Sequence, residues 1–345
     1  MRRKMLRMSD LLRLLVLVTI LSVAGHAQFR AGLQGVVMDA SGGTVAGATV
    51  TLTFKDTGQT QTATTNDEGF YRFSALAPGQ YTLTVEQQGF KKRVVNDVRI
   101  SAENVSGQDV TLEAGVISET VTVQAETTAI ETENANIQKS ITTQEVRNLP
   151  QVGRDPYELA RLAPGVLSPG ARAGNGNSVG LPNTTGPGGS NSSIFQSENQ
   201  VPISASGQRL SQNNFQLDGV SVTSLQHGGA ANITPNQESV KEVQVSSTSF
   251  SAEDGRNSGA QIKVVSQNGT NEFHGSAIFK YDTPAWNAFN KFPRNIGSGP
   301  QRVERLFRQF GGSVGGPLYL PRFGEGGPAV YGAKDRRFFF FSYEG

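Results

Sequence analysis

Residues 273–281 constrain the fold of this chain more tightly than any other stretch. Phe273, Gly275, Ala277, Phe279 and Tyr281 fall on one face of an extended strand, and His274, Ser276 and Lys280 on the other, with Ile278 the exception. Successive side chains of a strand point to opposite faces. A strand that is apolar and aromatic on one side and polar on the other suits a wall with lipid outside and a wet lumen inside. Just upstream, from Gly207, short β-type runs such as Val243-Gln-Val245 and Gln261–Val265 alternate with Asp-Gly, Asn-Gly and Ser-Gly turns. That pattern predicts a small sheet rather than a helical domain.

The first residues read as an export signal. Arg2, Arg3, Lys4 and Arg7 form a basic start, Leu14–Ala24 is an apolar run of eleven residues, and Gly25-His-Ala27 supplies small residues for cleavage between Ala27 and Gln28. The run is well short of the ~20 residues that a spanning helix needs. Residues 1–27 hold five basic residues and one acid, so their removal leaves 26 basic against 28 acidic side chains, a net charge near −2. No basic patch is then left to attract nucleic acid. The chain has no Cys, which excludes a lipoprotein anchor and disulfide staples.

From Gln28 to Gly115 the pattern is a compact all-β unit. Gly35–Asp39, Ala48–Phe54, Phe70–Phe73, Tyr81–Val85, Val98–Ile100 and Val110–Leu112 read as strands, separated by turns at Ser41-Gly-Gly43, Asn66–Gly69 and Pro78-Gly79. Strands of this length and spacing suggest a sandwich of about seven strands. Gly47-Ala-Thr-Val50, Thr65–Phe73, Leu76–Tyr81 and Gly89-Phe90 resemble the carboxypeptidase regulatory-like domain, with Val45 standing where Pro is common. Related sandwiches bind starch, so the resemblance implies either a carbohydrate-binding module or a rigid spacer. Tyr71 and Tyr81 read as packing and corner residues rather than sugar platforms. Asp67-Glu68 lacks the alternating acids of a calcium loop.

Glu119, Thr120, Val121, Thr122, Val123, Gln124 and Ala125 form a short strand-like run with no evident partner, followed by an acidic, Thr-rich tether to Glu133. The run resembles the TonB box, which implies edge-on pairing with a periplasmic TonB-type energy transducer; the last strand of the sandwich is the other reading. Such pairing rests on main-chain hydrogen bonds and tolerates sequence variation. Ile141–Pro150 can hold one helical turn ended by its proline. Asp155–Leu162 reads as a helix with Asp155 as cap and Pro156 in the first position. Residues 168–206 are rich in Gly, Asn, Ser and Pro and read as a long loop.

Asn148-Leu-Pro150, Gly153-Arg154, Leu162–Val166, Asp218-Gly219, Glu253–Arg256 and Gly269–Ser276 together resemble the plug and barrel junction of TonB-dependent outer-membrane receptors, in particular the Oar-like subgroup. Phe307–Leu318 and Arg337–Gly345 resemble the next two barrel strands of that subgroup. The resemblance implies a mainly β chain: a seven-stranded β-sandwich, a mixed α+β plug, and the first strands of a truncated transmembrane β-barrel. The expected divisions are 1–27 signal, 28–115 sandwich, 116–133 TonB-box-like segment and linker, 134–271 plug, and 272–345 barrel. Asp218, Glu253 and Arg256 are the expected plug–barrel contacts, forming turns and salt bridges to the barrel wall, with substrate contact as the other reading.

Plugged transporters close with about 22 strands, so three suggest the N-terminal fragment of a longer receptor. The implied setting is the outer membrane of a Gram-negative bacterium, with lipid around the barrel. The implied work is energised uptake of an oligosaccharide or metal chelate. A surface protein that binds glycan or mediates adhesion through its sandwich is the alternative.

An enzyme reading has little support. His26 leaves with the signal, and His227 and His274 have no companion at metal-ligand spacing. No Ser sits in a Gly-x-Ser-x-Gly elbow, and Gly174-x-Gly176 has no strand before it or helix after it. No catalytic residue, cofactor or metal site is therefore expected.

Overall fold

The computed structural model describes residues 31–102, 104–116, 120–124, 137–151, 154–167, 201, 203–226, 228–248, 254, 256–286, 307–321, 330–331 and 334–345. The signal segment with Ala27 and Gln28, most of the 168–206 loop, His227, Glu119, Ala125 and Glu253 lie outside these residues.

The N-terminal unit is built from Ala31–Asp39 (β1), Thr49–Phe54 (β2), Thr60–Thr64 (β3), Phe70–Leu76 (β4), Gly79–Glu86 (β5), Lys92–Ile100 (β6), Val105–Gly107 (β7), Val110–Leu112 (β8) and Thr120–Gln124 (β9). One sheet runs β4-β1-β7, with β8 pairing the far half of β1; the other runs β3-β2-β5-β6-β9. The alternating residues of β2 and β5, Val50, Leu52 and Phe54 with Tyr81, Leu83 and Val85, turn inward and are buried against Leu33, Val37, Tyr71 and Phe73 of the opposing sheet. The Tyr71 hydroxyl donates to the Gln108 carbonyl at 2.5 Å, and the Tyr81 hydroxyl donates back to the Ala77 carbonyl at 2.7 Å. Both rings are thus packing and corner residues, as their positions suggest. The 66–69 turn is set by the Asn66 side chain, which accepts from the Glu68 and Phe70 amides, and by Gly69 at φ +72, where a Cβ would meet the Val37 carbonyl oxygen at 2.6 Å.

The sandwich holds nine strands among the described residues, three more than the six named from the sequence and above the expected seven or so. Alternation did not reveal β3, whose Thr-Gln-Thr-Ala-Thr sequence lies largely exposed at a sheet edge, nor the three-residue β7. The third addition is β9. It does have a partner: it pairs in parallel with β6 from Lys92↔Thr120 to Asn96↔Gln124.

The central unit comprises Ile137–Thr142 (β10), the helix Thr143–Asn148 (α1), Val166–Leu167 (β11), Ser204–Ala205 (β12), Asn214–Leu217 (β13), Val220–Ser221 (β14), Val240–Thr248 (β15) and Gln261–Ser266 (β16). Its sheet order is β10-β15-β16-β13-β14, with β13 and β16 parallel. The Thr142 hydroxyl caps α1 and Glu145 closes a reciprocal capping box. Residues 156–162 form a helix as expected, but of the tighter 3₁₀ kind, with the Asp155 carboxylate accepting from the Tyr157 amide at 2.9 Å. Tyr157 and Phe215 pack edge to face in the core, ring centres 4.8 Å apart.

The C-terminal unit is an antiparallel sheet, His274–Asp282 (β17), Phe307–Pro317 (β18) and Phe338–Glu344 (β21), with the small hairpin Leu320–Pro321 (β19) and Val330–Tyr331 (β20) between the last two. Its three strands form an open sheet. Register places Phe279 beside Phe310, and Val314 beside Phe341. These side chains share one face and are largely exposed, Phe279 at 70% and Phe341 at 62%. Tyr281, Trp286, Arg308, Phe310 and Tyr343 gather at one end of that face, and Phe273, Tyr319 and Phe339 at the other. An apolar band between two aromatic groups is the pattern expected of strands that face lipid.

Candidate functional site

The opposite face of the C-terminal sheet is polar and meets the central unit. Strand periodicity turns Ser276 and Lys280 of β17, Gln309 and Ser313 of β18, and Ser342 and Glu344 of β21 toward it. Arg154 lies at the centre of the contact. Its side chain is 5% exposed, and it donates from Nη2 to Glu238 Oε1 at 2.7 Å and from Nε to Glu344 Oε1 at 3.0 Å. Glu238 opens β15 through a single 3₁₀ turn capped by Asn236, whose side-chain oxygen accepts from the Ser239 amide at 2.8 Å. Its second oxygen accepts from the Ser276 hydroxyl at 2.5 Å and faces Arg147 Nε at 3.4 Å.

Around this core Ser276 Oγ lies 2.8 Å from Ser313 Oγ, and Lys280 Nζ donates to the Gln151 carbonyl at 2.9 Å. Asn236 Nδ2 donates to Ser342 Oγ at 3.1 Å, and Gln309 Nε2 donates to Glu344. Arg154 adopts φ +53, a left-handed conformation uncommon for a non-glycine residue. The partners on both sides of the seam hold it there.

Burial works against ionisation of Glu238, but the hydrogen bonds from Ser276 and Arg154 and the charges of Arg147 and Arg154 outweigh it and hold the carboxyl below its usual range. The seam therefore contains ionised, mutually compensated groups rather than a greasy fit. A paired charge can be released into water at far lower cost than an unpaired one can be left buried.

Of the expected contact residues, Glu253 lies outside the described residues, and Asp218 and Arg256 sit elsewhere. Asp218 occupies a turn at φ +49, where its carboxylate accepts from the Ser266 amide at 2.8 Å inside the central sheet. Arg256 is exposed beside Asn257, next to a small polar pocket with Ser211, Asn214 and Thr223. Asp254, the neighbour of Glu253, pairs with Lys263 at 2.9 Å, also within the central unit. The sequence carried one local sign of the observed cluster and did not name its members. Glu344 is a charge on the inner side of an aromatic strand, and such a charge needs a cation supplied by whatever fills the interior.

A second seam joins the sandwich to the other two units. Lys241 Nζ of β15 pairs with Asp56 Oδ2 at 3.2 Å and lies 5.1 Å from the centre of the Phe54 ring. The Ala102 amide donates to Glu242 Oε2 at 3.2 Å. Burial is the main influence on that carboxyl and raises it above its usual range, against hydrogen bonds from Ser140 and Ala102 and the charges of Arg99 and Lys241. The Asn271 amide donates to the Asp56 carbonyl at 2.9 Å, and the Asn271 side chain is paired with Asp335 at 2.6 Å. A cleft of about 980 Å³ opens between the three units, with Phe54, Tyr81, Lys241 and Phe340 on its walls. Among the described residues no group of His, Asp and Glu side chains is placed to hold a metal ion.

Residues 32–113 match the carboxypeptidase regulatory-like domain, and residues 265–345 match the outer membrane beta barrel domain. The TonB-dependent transporter Oar of Myxococcus xanthus is 26% identical over 289 residues, which cover 82% of this chain and 25% of that protein. Over that span the chain is similar in sequence to Oar. It spans a quarter of the length of the curated relative it matches.

Two solved structures show weaker likeness. The siderophore receptor PirA from Acinetobacter baumannii aligns with a TM-score of 0.34 at 19% identity, over 56% of this chain and 24% of that one. A chain of a type II cohesin–X-dockerin complex from Acetivibrio cellulolyticus aligns with a TM-score of 0.20 at 21% identity, over 24% of this chain and 58% of that one. The two family matches fall on the sandwich and on the amphipathic sheet. Oar is by name a TonB-dependent transporter.

Proposed function

We propose that this chain serves a TonB-dependent outer-membrane receptor that takes up an oligosaccharide or a metal chelate by energised transport. In this reading residues 1–27 direct export and are cleaved after Ala27, residues 28–115 are a periplasmic spacer, residues 134–271 are the plug, and the sheet from residue 272 is barrel wall. Residues 119–125 engage a TonB-type energy transducer. The observation that carries the reading is the two-sided C-terminal sheet, with an apolar, aromatic outer face and an inner face tied by Arg154, Glu238 and Glu344 to a separate domain. A lipid-facing wall with a charged, separable filling suits transport better than adhesion. The spacer role is supported by the burial of Tyr71 and Tyr81, which leaves neither ring as a platform for sugar.

The test is expression of the full-length receptor in a Gram-negative host. It should fractionate with the outer membrane, begin at Gln28 by N-terminal sequencing, and support uptake that stops when the proton gradient is dissipated. Val121→Pro or Val123→Pro should abolish crosslinking to the transducer, because proline removes a ladder donor and fixes φ; Val123→Ile should leave it intact. Surface display with glycan binding and no energised uptake would refute the reading.

A further inference from the structure

We infer that the sandwich is a latch on the joint between the central unit and the amphipathic sheet, holding the two in place until it is lifted away. This rests on the proposal that those units are plug and barrel wall. The link from β16 to β17, residues 267–273, is the stretch that has to change course when the plug turns or leaves. Within it, Asn271 is held from two sides. Its amide donates to the Asp56 carbonyl, in the sandwich turn between β2 and β3, at 2.9 Å. Its side chain makes a reciprocal pair with Asp335, in the turn before β21. Asn271 Nδ2 donates to Asp335 Oδ1 at 2.6 Å, and Asn271 Oδ1 accepts from the Asp335 amide at 2.8 Å. The Asp56 carboxylate pairs in turn with Lys241 of β15 at 3.2 Å. One sandwich turn therefore ties the plug strand to the joint.

The same turn is pressed against the sheet. Gly58 sits at φ +72, and a Cβ there would meet Asp335 Oδ1 at 2.6 Å. On the other side of the joint Gly269 is buried, and a Cβ there would run into the Phe339 main chain. The link thus has little room to shift while the sandwich is docked. A second sandwich loop grips the same plug strand, where the Ala102 amide donates to Glu242 Oε2 at 3.2 Å, next to Lys241. Two loops from one end of the sandwich straddle the start of β15, so the whole domain moves with the joint or not at all. The ties are polar and partly open to water, with the Lys241 and Asp56 side chains 20% and 37% exposed. Each is modest alone. Several acting together hold the joint, and water can replace them when the domain lifts.

The test is hydrogen exchange of the full-length receptor, read by mass spectrometry on peptides covering residues 267–273. The parent is compared with Gly58→Asp and with the double variant Lys241→Met, Asp335→Ala. Aspartate tolerates the left-handed conformation at position 58 better than most residues but sets a like charge against Asp335. Lys241→Met removes the charge and keeps an apolar stem over the Phe54 ring. Exchange in the link should rise about tenfold in both proteins, while peptides of β2 and β5 stay at the parent rate because the sandwich core lies apart from the contact. Parent-level exchange of the link in either protein would overturn the contact. In cells, both should also admit vancomycin, a large glycopeptide that an intact outer membrane excludes, and so become more sensitive to it. A loosened link with unchanged sensitivity would overturn the latch and leave the sandwich an anchor. A parent protein absent from the outer membrane would remove the plug-and-barrel reading, and the latch with it, even where the link loosens.

Discussion

Glu158 shows how a single side chain can carry a cost set by its surroundings. It lies in the 3₁₀ helix over the central core, and burial, reinforced by the nearby Asp155 charge and only partly offset by Arg161, raises its carboxyl from 4.5 to about 7. The folded form holds the proton more tightly than the unfolded chain does. Stability is therefore lost as pH rises from about 4.5 and reaches its full deficit once pH passes about 7. Glu158→Gln should leave stability unchanged near pH 4 and raise it above pH 7, by on the order of 1 kcal/mol after solvent screening. Hydrogen-exchange protection of residues 156–162, compared between variant and parent at each pH, checks the sign. Glu238 titrates in the opposite sense: its depressed carboxyl contributes stability that is present above its unfolded value and lost as pH falls through its lowered folded value. The Asp155 cap and Pro156 were legible in the chain because capping is a local event. The protonation of Glu158 was not, because it depends on what covers the helix.

At the scale of elements, β9 is where local pattern and tertiary contact part. Its Thr-Val-Thr-Val-Gln run reads as a strand, yet nothing within it names a partner. The β6 edge is open because that strand's hydrophobic residues Val95 and Val98 face the core while its outer main-chain row has no other neighbour in the sheet order. A segment ending at Gly115 should still fold as a cooperative, soluble unit, since the two-sheet core lies wholly within it. One extended to Gln124 should be more stable by about 1–2 kcal/mol, from the half-buried Val121 and Val123. Urea unfolding of both segments should show a shifted midpoint with nearly the same slope. Identical midpoints would mean that β9 contributes nothing to the sandwich in isolation.

Across the whole molecule, the decisive contacts join residues far apart in sequence. Arg154 reaches Glu238 and Glu344 on two different units, and Asp56 touches both Lys241 and Asn271. Arg154→Ala in the full-length receptor should weaken the seam by about 3 kcal/mol, because it removes the cation shared by two buried carboxylates and leaves Glu238 with Arg147 and Ser276 and Glu344 with Gln309. Pairing it with Glu344→Gln should recover part of that loss, a non-additivity expected of groups that share one network. Native-state proteolysis of the membrane-embedded receptor reports the population of the opened seam and supplies the cycle. Strictly additive losses would place the two side chains in independent contacts.

What the sequence determined by itself is whatever repeats at strand or turn period. The inner and outer faces of β17, the buried alternation of β2 and β5, the Asn66–Gly69 turn and the caps at Thr142 and Asp155 all follow from interactions within a few residues. Only the tertiary structure decided which polar residues meet. Asp218 was absorbed by its own turn, while Arg154, Glu238, Ser276 and Glu344 converged from four separate segments. The physical reason is that the partner of a buried charge is chosen by proximity after the chain has folded, and proximity across 190 residues leaves no period to read.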